Sequence, residues 1–214
     1  MSASRDFALD TILETRLIAV VRMTSSANLP FAVEALRRGG VRAIEITLTT
    51  PGAIDAIRDL SLKKTAGEIV GAGTVLDVSA AARAMDAGAD FVVTPVLDTE
   101  VIRACRGRDV LVSSGGLTPT EILAAWRAGA DVVKVFPATS AGPKYFKDLK
   151  GPFPEIRLMP TGGVTLENAP DFIRCGACCV ALGTSLLAAD LVRSGNWNAI
   201  TERAVGLLKA LHDE

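Results

Sequence analysis

The sequence predicts a closed barrel of eight β-strands alternating with α-helices, a (β/α)8 barrel with a short N-terminal helix, and three features carry that prediction. A unit of helix, glycine and apolar strand recurs. Arg38-Gly39-Gly40-Val41 precedes one apolar run, Ala87-Gly88-Ala89-Asp90 a second, Ala128-Gly129-Ala130-Asp131 a third and Cys175-Gly176-Ala177 a fourth. Filling the intervals gives eight such runs, and eight units in one domain favour closure. An open doubly wound sheet would be favoured by Gly-x-Gly-x-x-Gly after the first strand, where this chain has Arg22-Met23-Thr24-Ser25.

In chain order the expected strands are 17–22, 43–47, 68–71, 91–94, 110–112, 132–136, 156–159 and 178–182. Their aliphatic, β-branched composition suits strands covered on both faces. Helices are expected between them, among others at 28–38, 79–87, 119–128 and 166–175. Each ends near a glycine able to take the left-handed conformation that closes a helix. Thr118-Pro119-Thr120-Glu121 and Thr165-Leu166-Glu167-Asn168 have the hydroxyl, proline and early acid of a helix start. No charged or Pro/Ser-rich linker divides the chain, so residues 1–214 are read as one domain.

Composition narrows the function. With 23 basic and 24 acidic residues the net charge is -1, which gives no field suited to nucleic acid or an anionic membrane. Met1 to Asp6 lack a hydrophobic signal core and no apolar run is long enough to span a bilayer, so a soluble, cytoplasmic protein is expected. One histidine, His212, argues against Ser-His-Asp, Cys-His and His-ligated zinc chemistry. Cys178 and Cys179 read as small apolar strand residues rather than metal ligands, and no metal or cofactor is expected.

Two charges stand where such strands should hold none. Lys134 interrupts Val132-Val133-Lys134-Val135-Phe136, and Glu45 interrupts Ala43-Ile44-Glu45-Ile46. A lysine held away from water loses part of its preference for the charged form, and the neutral amine attacks carbonyl carbon. The alternatives are a lysine that reaches to water or a structural Glu45–Lys134 ion pair. In a barrel of this kind functional groups gather at the C-terminal strand ends, which selects Arg22, Glu45, Thr74, Thr94-Pro95, Lys134, Thr161 and Ser185. A carboxylate beside a lysine can move every proton that imine chemistry requires without histidine. Thr161-Gly162-Gly163 after the seventh strand and Gly183-Thr184-Ser185 after the eighth offer backbone N–H groups suited to phosphate. Trp126, Trp197 and Tyr145 read as packing residues, with the Tyr145 phenol near the sixth strand end.

Gly40 to Leu48, Gly71-Ala72-Gly73-Thr74-Val75, Val133 to Ala138 and Pro160-Thr161-Gly162-Gly163-Val164 together resemble the class I 2-keto-3-deoxy-6-phosphogluconate (KDPG) and 4-hydroxy-2-oxoglutarate aldolase family. The resemblance keeps motif order from about Leu17 to Ser185. It implies a homotrimeric (β/α)8 barrel that splits a phosphorylated 2-keto-3-deoxy sugar acid into pyruvate and glyceraldehyde 3-phosphate. Lys134 would form the imine and Glu45 would move protons. Thr74 and Thr161 would hold the pyruvyl part, Pro95 and Phe136 would shape the pocket, and Gly162, Gly163, Gly183 and Ser185 would bind phosphate. The chain departs from the pattern at Thr49, where some members carry an arginine for the substrate carboxylate, at Val96 and at Ser114. Arg22 is expected to replace that arginine, and Val96 and Ser114 to border the part of the pocket that reads sugar hydroxyls. The alternatives are a 4-hydroxy-2-oxoglutarate aldolase and a phosphate-binding isomerase or synthase.

Overall fold

The computed structural model describes residues 4–213. Met1, Ser2 and Ala3 of the polar start lie outside the described residues, as does Glu214. The helix α1 (Arg5–Thr15) comes first, followed by β1 (Leu17–Val21), α2 (Leu29–Arg38), β2 (Ala43–Thr47), α3 (Ala53–Leu62), β3 (Ile69–Gly73), α4 (Val78–Asp86) and β4 (Phe91–Val93). The second half contains α5 (Thr99–Arg106), β5 (Leu111–Gly116), α6 (Pro119–Arg127), β6 (Val132–Val135), α7 (Gly142–Lys150), β7 (Leu158–Pro160), α8 (Ala169–Arg174), β8 (Val180–Leu182), α9 (Ala189–Ser194) and α10 (Trp197–Ala210).

Seven parallel pairings run from β7 through β1 to β8. The ring then closes through two parallel bridges, Leu158 to Ala177 and Thr161 to Ala181. The expected (β/α)8 barrel is therefore the fold. Among the described residues no helix is long and apolar enough to cross a membrane.

The repeat that predicted the fold has a consistent local cause. Gly40, Gly88, Gly129 and Gly176 have φ of 86°, 95°, 102° and 98°, so each closes its helix in a conformation that costs a residue with a Cβ. In two of the units the following aspartate ties the strands together. Asp90 accepts from Val70 N–H at 2.8 Å and Asp131 from Val112 N–H at 2.9 Å. Thr118 and Glu121 form the expected reciprocal cap of α6. Thr165 and Asn168 instead bond to each other, N–H to Oδ1 at 2.7 Å and N–H to Oγ1 at 3.2 Å, so α8 begins one turn later than expected.

Alternation along the strands separates two apolar layers. One fills the space between strands and helices. The other lies inside the barrel and includes Ile18, Ala43, Ile69, Phe91, Leu111, Val132, Met159 and Cys179, with Ala8 and Ile12 of α1 packed against them. The N-terminal helix thus closes the base of the barrel, and Arg5 Nε anchors it to the buried Asp131 at 2.7 Å.

Two strands run two or more residues past their expected ends. β3 continues to Gly73 and β5 to Gly116, although glycine weakens a strand. Space explains why glycine stands within both strands. A Cβ on Gly71 would lie 2.3 Å from the Phe91 ring, and one on Gly115 would lie 2.2 Å from the Pro95 carbonyl carbon. Gly71→Ala is therefore expected to lower stability by about 1–3 kcal/mol, read as a fall in denaturant midpoint at unchanged m-value.

Candidate active site

At the C-terminal strand ends the barrel opens into a cavity of about 350 Å³. On β6 the period of two that turns Val132 into the barrel also turns Lys134 inward, and on β2 it does the same for Ala43 and Glu45. Both charged side chains line the cavity while remaining buried, Lys134 at 6 % exposure and Glu45 at 1 %. Room for the carboxylate comes from Gly73, where a Cβ would lie 1.7 Å from Glu45 Oε1. Gly73→Ala should therefore displace Glu45 and lower turnover by about 10-fold or more, in a protein that still folds, as steady-state kinetics and circular dichroism would read.

The electrostatics drive both groups the same way. Burial pushes Lys134 below the ordinary lysine range, Glu45 opposing the shift and Arg22 adding to it. Burial pushes Glu45 above the ordinary carboxylate range, with Lys134 and then Arg22 opposing. Burial thus weakens the charged form of each group, while their mutual attraction partly restores it. Lys134 Nζ stands 5.1 Å from the centre of the Phe136 ring. Glu45 Oε2 and Thr161 Oγ1 are buried with no hydrogen-bond partner among the described residues. Such atoms cost about 1–3 kcal/mol each when left unpaired, and both residues line the cavity wall.

Thr74 adds a strained element. Its φ of 56° is left-handed, an unusual state for a β-branched residue. Its hydroxyl accepts from Arg22 Nη2 at 3.3 Å, and both residues line the cavity. Pro95, Phe136, Gly162, Gly163 and Gly183 also line the cavity, whereas Thr94 turns its hydroxyl to Val96 C=O at 2.7 Å.

The cavity thus brings together an amine, a carboxyl group and two glycine-bearing turns. Residues 9–203 match the family model described as KDPG and KHG aldolase. The chain belongs to the KDPG and KHG aldolase family. Among its relatives, the 2-dehydro-3-deoxy-phosphogluconate aldolase of Pseudomonas aeruginosa is 40% identical over 191 residues, 88% of this chain and 86% of that one. The KHG/KDPG aldolase of Escherichia coli K12 is 35% identical over 172 residues, 80% of each chain. The KDPG aldolase of Legionella pneumophila, solved with pyruvate captured as a covalent carbinolamine, superposes with a TM-score of 0.86 at 27% identity, covering 94% of this chain and 97% of that one.

Within this KDPG/KHG aldolase site the structure corrects several expectations. Ser185 does not line the cavity, because its hydroxyl donates to Val164 C=O at 3.3 Å; Thr184 lines it instead. Val20, Val164, Ala181 and Leu187 were also missed, and of these Val20 was legible as the inward position two before Arg22. The departures at Thr49, Val96 and Ser114 lie away from the cavity. Thr49 lines an outer depression with Arg83 and bonds to Thr47 Oγ1 at 3.1 Å. Val96 is exposed, and Ser114 is buried with its hydroxyl 3.4 Å from Val96 C=O. Tyr145 donates to Leu117 C=O at 2.6 Å, Trp126 packs under Arg157, and Trp197 stacks on Phe31.

Proposed function

We propose that this chain is a class I aldolase that cleaves 2-keto-3-deoxy-6-phosphogluconate to pyruvate and glyceraldehyde 3-phosphate through an imine on Lys134. The observation that carries the reading is the buried Lys134 amine sharing one cavity with Glu45, each driven toward its uncharged form. The neutral amine attacks the C2 carbonyl, and Glu45 supplies the proton that lets water leave. The Glu45 carboxylate then takes the proton of the C4 hydroxyl, the C3–C4 bond breaks, and its electrons pass into the imine as an enamine. Glyceraldehyde 3-phosphate departs, Glu45 returns a proton to C3, and water releases pyruvate. Thr161 Oγ1 and the Thr74 hydroxyl bind the pyruvyl oxygens, with Pro95 and Phe136 as walls. The turns carrying Gly162, Gly163 and Gly183, with Thr184, bind phosphate through their N–H groups. A single cytoplasmic domain that assembles as a homotrimer is part of the proposal. The exposed Leu76, Val78 and Val96, on chain following the adjacent strands β3 and β4, support self-association, which sedimentation would measure.

The substrate test compares kcat/KM for the phosphorylated acid with that for unphosphorylated 4-hydroxy-2-oxoglutarate. A clear preference for the phosphorylated acid is expected, and the reverse preference would favour the 4-hydroxy-2-oxoglutarate reading. The carboxylate is assigned to Arg22, whose planar guanidinium makes a two-point contact that lysine cannot reproduce. Arg22→Lys should weaken pyruvate binding, and Arg22→Ala should weaken it by about 10-fold or more. Since Arg22 also helps to depress Lys134, Arg22→Ala should move the onset of imine trapping to higher pH. Wild-type binding in Arg22→Ala would transfer the carboxylate to Thr74 and backbone amides.

A further inference from the structure

The base of the barrel, opposite Lys134, holds a pair of thiols that the aldolase chemistry leaves unused. The chain bends at Cys178 before β8 begins, which interrupts the alternation that would send neighbouring side chains apart. The bend leaves Cys178 Sγ 3.8 Å from Cys179 Sγ. Cys178 lines a cavity of about 710 Å³ together with Leu13 of α1, Ile173 of α8 and Leu211 after α10, so a small solute can reach it. Cys179 is fully buried inside the barrel.

The surroundings give the two sulfurs different chemistry. The hydrogen bond to Cys179 holds the Cys178 thiol below the ordinary range against the effect of burial, and the Arg157 and Lys150 charges assist. The same hydrogen bond and burial raise Cys179 well above it. Cys105 makes a useful contrast, since burial pushes its thiol up to about 12. Accessible, electropositive thiols are oxidised first, and a second thiol in contact resolves the product.

We propose that Cys178 and Cys179 form a peroxide-oxidisable dithiol in which Cys178 reacts first and Cys179 resolves it. The Cys178 thiolate attacks one peroxide oxygen, the O–O bond breaks, and the departing hydroxide takes up the thiol proton as water, leaving a sulfenic acid. Cys179 sulfur then attacks the sulfenic sulfur. The S–S bond forms, the S–O bond breaks, and hydroxide leaves with the Cys179 proton as a second water. Cys178 N–H donates to Leu158 C=O at 2.9 Å, beside the Leu158–Ala177 bridge, so the pair sits on the seam that closes the barrel. Linking adjacent side chains there moves the seam backbone and lowers the thermal midpoint.

The test treats the whole protein with dilute hydrogen peroxide and maps thiols by peptide mass. Expected are a Cys178–Cys179 disulfide that dithiothreitol reverses and a lower melting temperature in the oxidised form. Cys179→Ser should leave a sulfenic acid on Cys178 that dimedone captures, and Cys178→Ser should leave Cys179 a free thiol. Consumption of Cys105 or Cys175 before the pair would overturn the proposal, as would a sulfinic acid on Cys178 beside a free Cys179. Disulfide formation with an unchanged melting temperature would overturn its coupling to the seam.

Discussion

Lys134→Met is expected to reduce turnover by at least about 10⁴-fold, equivalent to roughly 5.5 kcal/mol of lost transition-state stabilisation. Methionine has a similar volume and no amine, so the pocket wall survives while the nucleophile is removed. Folding should be unimpaired, because exchanging a buried lysine for an apolar side chain also removes a desolvated charge site. Two measurements check this together. Wild-type protein treated with pyruvate and borohydride should lose activity and gain a reduced pyruvyl adduct on Lys134, whereas Lys134→Met should gain none and keep its melting temperature. Substantial turnover in Lys134→Met, or full wild-type activity after borohydride trapping, would require another nucleophile.

For Glu45→Gln a fall in turnover of about 100-fold or more is expected, with substrate binding less affected. The amide keeps the shape of the side chain but cannot move a proton. It also removes the negative charge that raises the affinity of Lys134 for its proton. Lys134 should then lose that proton at a lower pH still, so imine trapping in Glu45→Gln should persist to more acidic pH than in the wild type even as turnover collapses. A trapping profile shifted to higher pH would contradict the electrostatic account. Unchanged turnover with weakened binding would make Glu45 a ligand clamp.

The two decisive residues were legible because each violates the composition of its strand: an ion at an interior position of an apolar run has no bland place to go. The helix-ending glycines were legible too, since a left-handed residue before every second strand announces the repeat. Other glycines misled for the opposite reason. Gly73, Gly115 and Gly116 read as strand ends or turns, yet they continue β3 and β5. What requires a bare Cα at Gly73 is Glu45 on β2, and at Gly115 it is Pro95 in the loop after β4. A local reading cannot weigh such a contact. The choice between Thr184 and Ser185 failed for want of periodicity, because a turn has no alternation to say which of two consecutive hydroxyls points inward. The loop after β2 turns Thr49 toward Thr47 and the outer surface.

The bare positions inside the barrel also bear on how this cavity can be redesigned. At Gly71, Gly73 and Gly115 a neighbouring group already occupies the space a Cβ would need, so none of them can be trimmed and each can only be overfilled. Enlargement is therefore confined to wall residues that still carry removable carbon, chiefly Val20, Val164 and Leu187. A library aimed at bulkier acceptor aldehydes should be built at those three sites, whereas one that randomises the glycines will mostly return proteins that have lost either the Glu45 carboxylate position or the packing of Phe91.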